Sequence, residues 1–330
     1  MAKLVTIFGG SGFLGRYIAR RMANQGWRVR VAVRRPNEAI FVRTYGTVGQ
    51  VVPVLANIRD DASVAAAIGG ADAVINCVGT FDMSGRNNFD AVQVEGAGRV
   101  ARLTAEAGID RLVHISAIGA DAESDSAYAR SKAEGEAAIL DHMPGAVILR
   151  PSVMFGTEDA FFNRFARMTK FGPVLPLVGG QTRFQPVYVD DVAHAAQMGV
   201  TGKAAPGIYE LGGPDVGTLR SFIELMLRLI RRRRLVMNMP FWMGSVMAWG
   251  LNAAQVMTGG LFHNSILTRD QVRQLRQDNV VSEDAKGFDD LGLQPTDMEA
   301  VLDDYLWVYR PGGQYADIQA SARNMRNTQV

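Results

Sequence analysis

The sequence predicts an α/β protein built on a doubly wound parallel sheet, with a second, smaller unit after it. Three observations lead there. An apolar strand, Leu4–Phe8, runs directly into a glycine-rich turn and a helix. Strand and helix patterns then alternate at a spacing that requires parallel strands joined by crossovers. The organisation changes past about residue 200, and 330 residues suffice for about two units. One large domain with an appendage fits that length as well.

Composition narrows the class. The chain is 48% hydrophobic and 21% charged, an ordinary globular mixture that excludes disorder and collagen-like repeats. Lys and Arg number 35 against 33 Asp and Glu, and a net charge of +2 argues against a nucleic-acid partner. The single cysteine, Cys77, cannot form an intrachain disulfide. His114, His142, His194 and His263 are scattered without metal-ligand spacing, so no metal is expected. Only Met1-Ala2-Lys3 precede the first strand. That leaves no room for a targeting peptide, and the expectation is a chain that works where it is made, as in a bacterial cytoplasm.

The turn after Leu4–Phe8 reads Gly9-Gly10-Ser11-Gly12-Phe13-Leu14-Gly15. It fits both G-x-x-G-x-x-G and G-x-G-x-x-G. One glycine serves the tight turn, one lets backbone approach a pyrophosphate, and one lets the helix pack closely. The phosphate then meets the helix N-terminus. The second strand, Arg28–Val33, ends in Arg34-Arg35-Pro36. A site for NAD would place an acidic residue there for the ribose 2′-hydroxyl. Two guanidinium forks suit a 2′-phosphate instead, which points to NADP(H).

Further strands read at 50–55, 73–77, 111–115 and 146–149, and helices at 61–69, 88–107 and 126–141. Ligands of such sheets sit at the carboxyl ends of the strands. Those ends carry Asn57 and Ile58, Cys77, Val78 and Gly79, Ser116, and Pro151 and Val153, all candidates for cofactor contact. Asn57 and Ile58 are placed to meet the adenine edge, and Gly79 lets backbone come close. Cys77, flanked by apolar residues, reads as packing rather than as a nucleophile. Tyr128 and Lys132 stand four apart on one helix face. There the ammonium would lower the phenol pKa for proton exchange with a carbonyl or alcohol, or hold the nicotinamide ribose.

The 9–15 loop together with Tyr128 and Lys132 resembles the extended or atypical short-chain dehydrogenase/reductase family. The resemblance implies a Rossmann-type dinucleotide domain over 1–150, a smaller α/β domain over 151–310 that follows it, and a Ser/Thr-Tyr-Lys trio. Later segments would return to the first domain. After Ser116 the chain has Ala117 where the family's catalytic hydroxyl is expected, so Tyr128 and Lys132 read as vestigial and cofactor binding as retained.

A second resemblance is narrower. It rests on Leu149-Arg150-Pro151-Ser152-Val153-Met154-Phe155-Gly156-Thr157-Glu158-Asp159-Ala160-Phe161-Phe162-Asn163-Arg164-Phe165, on 172–177, and on Gln185-Pro186-Val187-Tyr188-Val189-Asp190-Asp191-Val192-Ala193. These stretches are similar to the nucleotide-binding accessory subunits of respiratory complex I. Residues 267–272 and 278–281 look like bacterial members of that group, and the likeness spans about 1–310. It implies a tightly held NADPH without turnover, other complex I subunits as partners rather than a second copy of this chain, and a place on the peripheral arm near the membrane. Read from the residues alone, Asp190 or Asp191 caps a helix. Glu158 and Asp159 open another over 159–170. Phe161, Phe162 and Phe165 belong to a core.

In the last third a strand reads at 208–211 and an amphipathic helix at 219–230. Arg231 to Arg234 follow, and no Asp, Glu, Lys or Arg occurs from Leu235 through Thr268. A helix over 241–258 is interrupted by Ser245, Asn252 and Gln255. It fits an interfacial or partner-docked helix better than a membrane span. A lid over the chain's own cleft is the other reading. The following stretch is acidic, and 311–330 reads as a polar tail. Replacing Arg34 and Arg35 by alanine should weaken NADPH binding far more than NADH binding in calorimetric titrations. Equal loss for both would remove the 2′-phosphate assignment.

Overall fold

A computed structural model describes residues 2–82, 85–257 and 269–315. Residues 258–268 of the uncharged stretch, His263, and the tail from residue 316 lie outside the described residues. The chain divides into two compact units. The first comprises Met1–Ser152, Val189–Gly212 and Val280–Pro295; the second comprises Val153–Tyr188, Gly213–Asn279 and Thr296–Val330.

The first unit is a seven-stranded parallel sheet. Its strands are β1 Leu4–Phe8, β2 Arg28–Val33, β3 Val51–Leu55, β4 Ala73–Asn76, β5 Leu112–Ile115, β6 Val147–Pro151 and β7 Gly207–Leu211. Their spatial order is β7-β6-β5-β4-β1-β2-β3. These are the expected strands with ends moved by at most two residues. The central strands β1, β4 and β5 are buried along their whole length, whereas the edge strand β3 leaves Val52 and Leu55 exposed. In β1 the alternation is visible: Leu4 and Phe8 join the core built with α2 Asp61–Ile68, α3 Glu95–Glu106 and α4 Ala127–His142. Thr6, on that same face, donates its hydroxyl to Ala67 O at 2.8 Å. α1 Phe13–Asn24 and α5 Val189–Thr201 pack on each other. A bidentate pair of Arg21 with Asp190, at 2.8 and 2.6 Å, joins them. Asp190, in the first turn of α5, is thus engaged by Arg21.

The helix expected over 88–107 is built differently. It opens with a π turn, Asp90–Val94, before α3. Gly135 of α4 packs on that turn so closely that a Cβ there would lie 2.2 Å from Gln93 O. Arg150, which precedes Pro151 and Ser152 at the end of β6, is an organising cation. It grips Glu136 of α4 at 2.9 and 2.7 Å and reaches Glu210 of β7 at 3.3 Å. Glu210 also accepts the Ser282 N–H at 2.9 Å, and its own N–H donates to Lys286 O at 2.8 Å. These bonds stitch Val280–Pro295 to the sheet edge.

The second unit has three two-stranded sheets: Met154–Phe155 with Val187–Tyr188, Arg183–Phe184 with Gly217–Thr218, and Val174–Val178 with Leu235–Met239. Its core gathers Phe155, Phe162 and Phe184 with α6 Leu219–Leu229 and a later helix, Met298–Leu306. Phe161 and Phe165 pack against it, as expected. The helix expected over 159–170 is shorter, Phe162–Met168. Buried Asp159 precedes it and takes the Gly156 and Asn163 N–H groups and the Tyr305 hydroxyl. Tyr309 donates to Asn163 Oδ1 at 3.0 Å. The distinctive E-D-x-F-x-N run therefore works as an internal lock onto the C-terminal helix.

Replacing Arg150 by methionine would strand two buried carboxylates without their cation. Such a loss costs about 3–5 kcal/mol. It should appear as a lower urea midpoint for the transition that melts the sheet.

Candidate dinucleotide site

The strand order reverses between β1 and β4, and both neighbours of β1 leave it in opposite directions. That is the switch point of a doubly wound sheet, where a crevice opens beyond the strand ends. The glycine loop stands there. Gly9 has φ +73°, and its N–H donates to Ala32 O at 3.0 Å. A Cβ on Gly15 would lie 2.4 Å from Gly9 O and 2.6 Å from Gly10 Cα. Gly12 caps α1 in an extended conformation, with no side-chain acceptor and no acidic residue in the first turn. Thus Gly9, Gly12 and Gly15 carry the turn, the cap and the close packing. The opening N–H groups of α1, from Phe13 and Leu14 onward, suit an anion.

At the end of β2, Arg34 is exposed and engages no acceptor among the described residues. Arg35 pairs with Glu38 at 3.0 Å in an exposed contact of little energetic weight. Arg16, which the sequence analysis passed over, adds a cation beside the loop. It donates to Ser11 O at 3.2 Å and lies 5.0 Å from the Phe41 ring. Its signal was a basic residue one helical turn after Gly12. At the end of β3, Asn57 accepts the Arg59 N–H at 3.2 Å, while Ile58 is buried against Gly96 in the core.

The ends of β4 and β5 hold buried polar groups without protein partners: Asn76 Nδ2, His114 Nδ1 and Ser116 Oγ, with Gln93 Oε1. Orphaned groups of this kind are uncommon in a packed interior. They fit the hydroxyls and amide of a bound polar ligand, so the residues present suit a dinucleotide. Burial pushes the His114 imidazole down to about 3, keeping it neutral. Burial pushes the Cys77 thiol up to about 12, against the pull of the Lys132 ammonium, so Cys77 is no nucleophile.

Tyr128 and Lys132 do share a face of α4, but their electrostatics depart from the expectation. Phe81 stacks on the Tyr128 ring at 5.3 Å and Phe89 meets it edge-on at 6.0 Å. Burial raises the phenol to about 12. The lowering expected from Lys132 does not appear, and burial alone sets the direction. Lys132 Nζ donates to Ile115 O at 3.2 Å, and burial brings it down to about 8, against the opposing pull of Glu136. It faces the backbone of exposed Gly79. Half-buried Val78 donates its N–H to Asn76 Oδ1 at 3.1 Å. Pro151 accepts the Ile118 N–H at the end of β6. Val153 lies in the second unit, its N–H on Asn279 Oδ1.

A glycine loop capping α1 at the switch point of this sheet defines a Rossmann-type dinucleotide-binding protein. The chain belongs to the NAD dependent epimerase/dehydratase family, whose model matches residues 5–212. It is 36% identical over 316 residues to NADH dehydrogenase [ubiquinone] 1 alpha subcomplex subunit 9 of Arabidopsis thaliana mitochondria, covering 94% of this chain and 79% of that one. It is 32% identical to the mitochondrial NADH-ubiquinone oxidoreductase 40 kDa subunit of Neurospora crassa, covering 94% and 80%. Among solved structures, the dTDP-glucose 4,6-dehydratase of Bacillus anthracis in complex with NAD superposes with a TM-score of 0.69 at 15% identity, covering 93% and 96%. That last likeness speaks to the fold.

The depressed Lys132 has a stability signature. Between about 8 and the ordinary lysine value of 10.5 the unfolded chain holds a proton that the folded one has released. The Lys132 contribution to stability therefore rises with pH across that window and is lost as pH falls through about 8. Above about 9 the raised Cys77 thiol, and above about 10 the raised Tyr128 phenol, act in the opposite direction, so the net rise falls between about 8 and 9. Chemical denaturation of Lys132→Met should lack this rise.

Proposed function

We propose that this chain is an accessory, NADPH-holding subunit of a bacterial membrane-bound respiratory complex I. The observation that carries this is the likeness to accessory subunits of that complex along 94% of the chain. In this reading Gly9 to Gly15 and the start of α1 hold the pyrophosphate. Arg34, assisted by Arg35 and Arg16, holds the 2′-phosphate. Ser116, Lys132 and the Cys77–Gly79 backbone hold the nicotinamide half. NADPH when bound supplies a hydride donor, and the protein lacks the means to spend it. Ala117 brings no hydroxyl, and Tyr128 is held protonated between two rings. The cofactor then serves as a structural brace for the first unit.

The second unit serves as the docking part, on the cytoplasmic face of the inner membrane, near the junction of the peripheral and membrane arms. In this reading attachment is peripheral; no helix among the described residues is long and apolar enough to cross a membrane. The second reading is a free NADP-dependent reductase or epimerase. It is favoured by one observation, the Tyr128 and Lys132 pair on a common face of α4.

Native electrophoresis of mildly solubilised membranes, with in-gel NADH dehydrogenase staining and mass spectrometry, separates the two. The subunit reading expects this chain in the stained band, with NADPH released on denaturation. It also expects Tyr128→Phe to leave complex activity unchanged. A chain found only apart from that band, with turnover abolished by Tyr128→Phe, would establish the reductase instead.

A further inference from the structure

The arginine run is sorted by the backbone into two sets. α6 ends in a turn where the Arg231 N–H donates to Arg228 O and the Arg232 N–H to Leu227 O. Arg231 sits at φ +54°, the position that glycine usually takes at a helix end. The chain then extends, and alternation takes over. Arg232 and Arg234 turn inward, donating to Tyr309 O at 2.8 Å and to Thr169 O at 3.0 and 2.8 Å. Arg233 turns outward and is exposed, as are Arg231 and Arg228. Arg228 and Arg233 engage no acceptor among the described residues. With Arg220 and Glu224, which pair with each other at 2.8 Å, these side chains line an open groove of about 660 Å³.

The outward register continues past the arginines. Leu235 is 65% exposed and Met237 47%, on the same side of the strand as Arg233, while Val236 between them is buried. Val174, opposite Leu235 in the sheet, is exposed too. The next helix, α7 Phe241–Met257, seats its small residues inward. Gly244 and Ala248 are buried, and a Cβ on Gly244 would meet Val178 at 2.9 Å. Trp242, Val246 and Trp249, at 67, 61 and 58% exposed, form the outward stripe. Over the described part of α7, small residues anchor the helix and large apolar ones face out.

We infer that this face of the second unit is a binding site for an anionic phospholipid of a bilayer surface. The phosphodiester lies against Arg228, Arg231 and Arg233, and the acyl chains run along Leu235, Met237 and the Trp242–Trp249 stripe. Charge decides the occupant. The outward guanidinium groups of Arg228, Arg231 and Arg233, against the one paired carboxylate of Glu224, precede a stretch of sequence with no Asp, Glu, Lys or Arg from Leu235 to Thr268. That is the order of a lipid, charged head then hydrocarbon, with tryptophan at the boundary where it partitions best. A protein partner would instead call for polar groups of both signs around the apolar centre. This inference deepens the peripheral attachment proposed above and rests on it.

The test uses the full chain and sedimented vesicles, with no other respiratory subunit present. Vesicles of phosphatidylcholine and phosphatidylglycerol should bind it, and vesicles of phosphatidylcholine alone should bind at least tenfold more weakly. Brominated acyl chains should quench tryptophan emission, and Trp242→Ser with Trp249→Ser should remove that quenching. Arg228→Gln with Arg233→Gln should weaken binding about 30-fold, equivalent to about 1 kcal/mol per arginine. Both pairs are exposed, and their circular dichroism should match the parent. Equal binding to the two vesicle types, or none, overturns the proposal. So does displacement of the vesicles by millimolar inorganic phosphate, which would assign the groove to a free anion. Loss of vesicle binding in a chain that still enters the stained NADH dehydrogenase band overturns the lipid site while leaving the subunit reading standing.

Discussion

Everything in the first unit depends on one contact between backbones. Gly15 of α1 lies against Gly9 and Gly10 with no room for a methyl group. That approach sets how near the helix axis comes to β1. The helix start thereby stands over the strand end, where its free N–H groups converge. It also places Arg16 beside the loop and Arg21 where Asp190 of α5 can reach it. A side chain at position 15 would push α1 outward, and the anion cradle and the α1–α5 layer would both be disturbed.

Burial sets the state of the titratable groups at the strand ends. Lys132 and Tyr128 stand where a reductase would keep them. Burial moves the phenol up to about 12 and the amine down to about 8. A tyrosine held so firmly protonated is a hydrogen-bond donor, and a lysine near 8 is a partly discharged one. Such groups are better suited to gripping hydroxyls than to exchanging protons.

Legibility in the sequence follows the range of each interaction. The strands could be read because each is a short apolar run closed by glycine or a turn. The glycine loop and the Tyr128–Lys132 spacing are local, so their placement on a loop and on a helix face was readable as well. The partners of Asp159 and Asp190 were not, since Tyr305 and Arg21 lie 146 and 169 residues away. The π turn at Asp90–Val94 escaped because one extra residue per turn hardly alters an apolar pattern. The raised phenol of Tyr128 escaped because Phe81 comes from a loop that no periodicity predicts and Phe89 from the start of a different helix. Arg16 was visible, but only the glycines around it drew notice.

The stitch between Glu210 and the Ser282–Lys286 stretch has a consequence for how the chain is made. During synthesis at about 5–20 residues per second, β1 to β6 emerge early, while the last segment of the same unit arrives only after most of the second unit has left the ribosome. Until then Glu210 waits at an unfinished sheet edge with an acceptor oxygen unserved. The two units are compact bodies but not successive ones, and their biogenesis is interleaved. A nascent chain halted between residues 212 and 280 would display an open β7 edge, the surface that chaperones and aggregating strands both recognise.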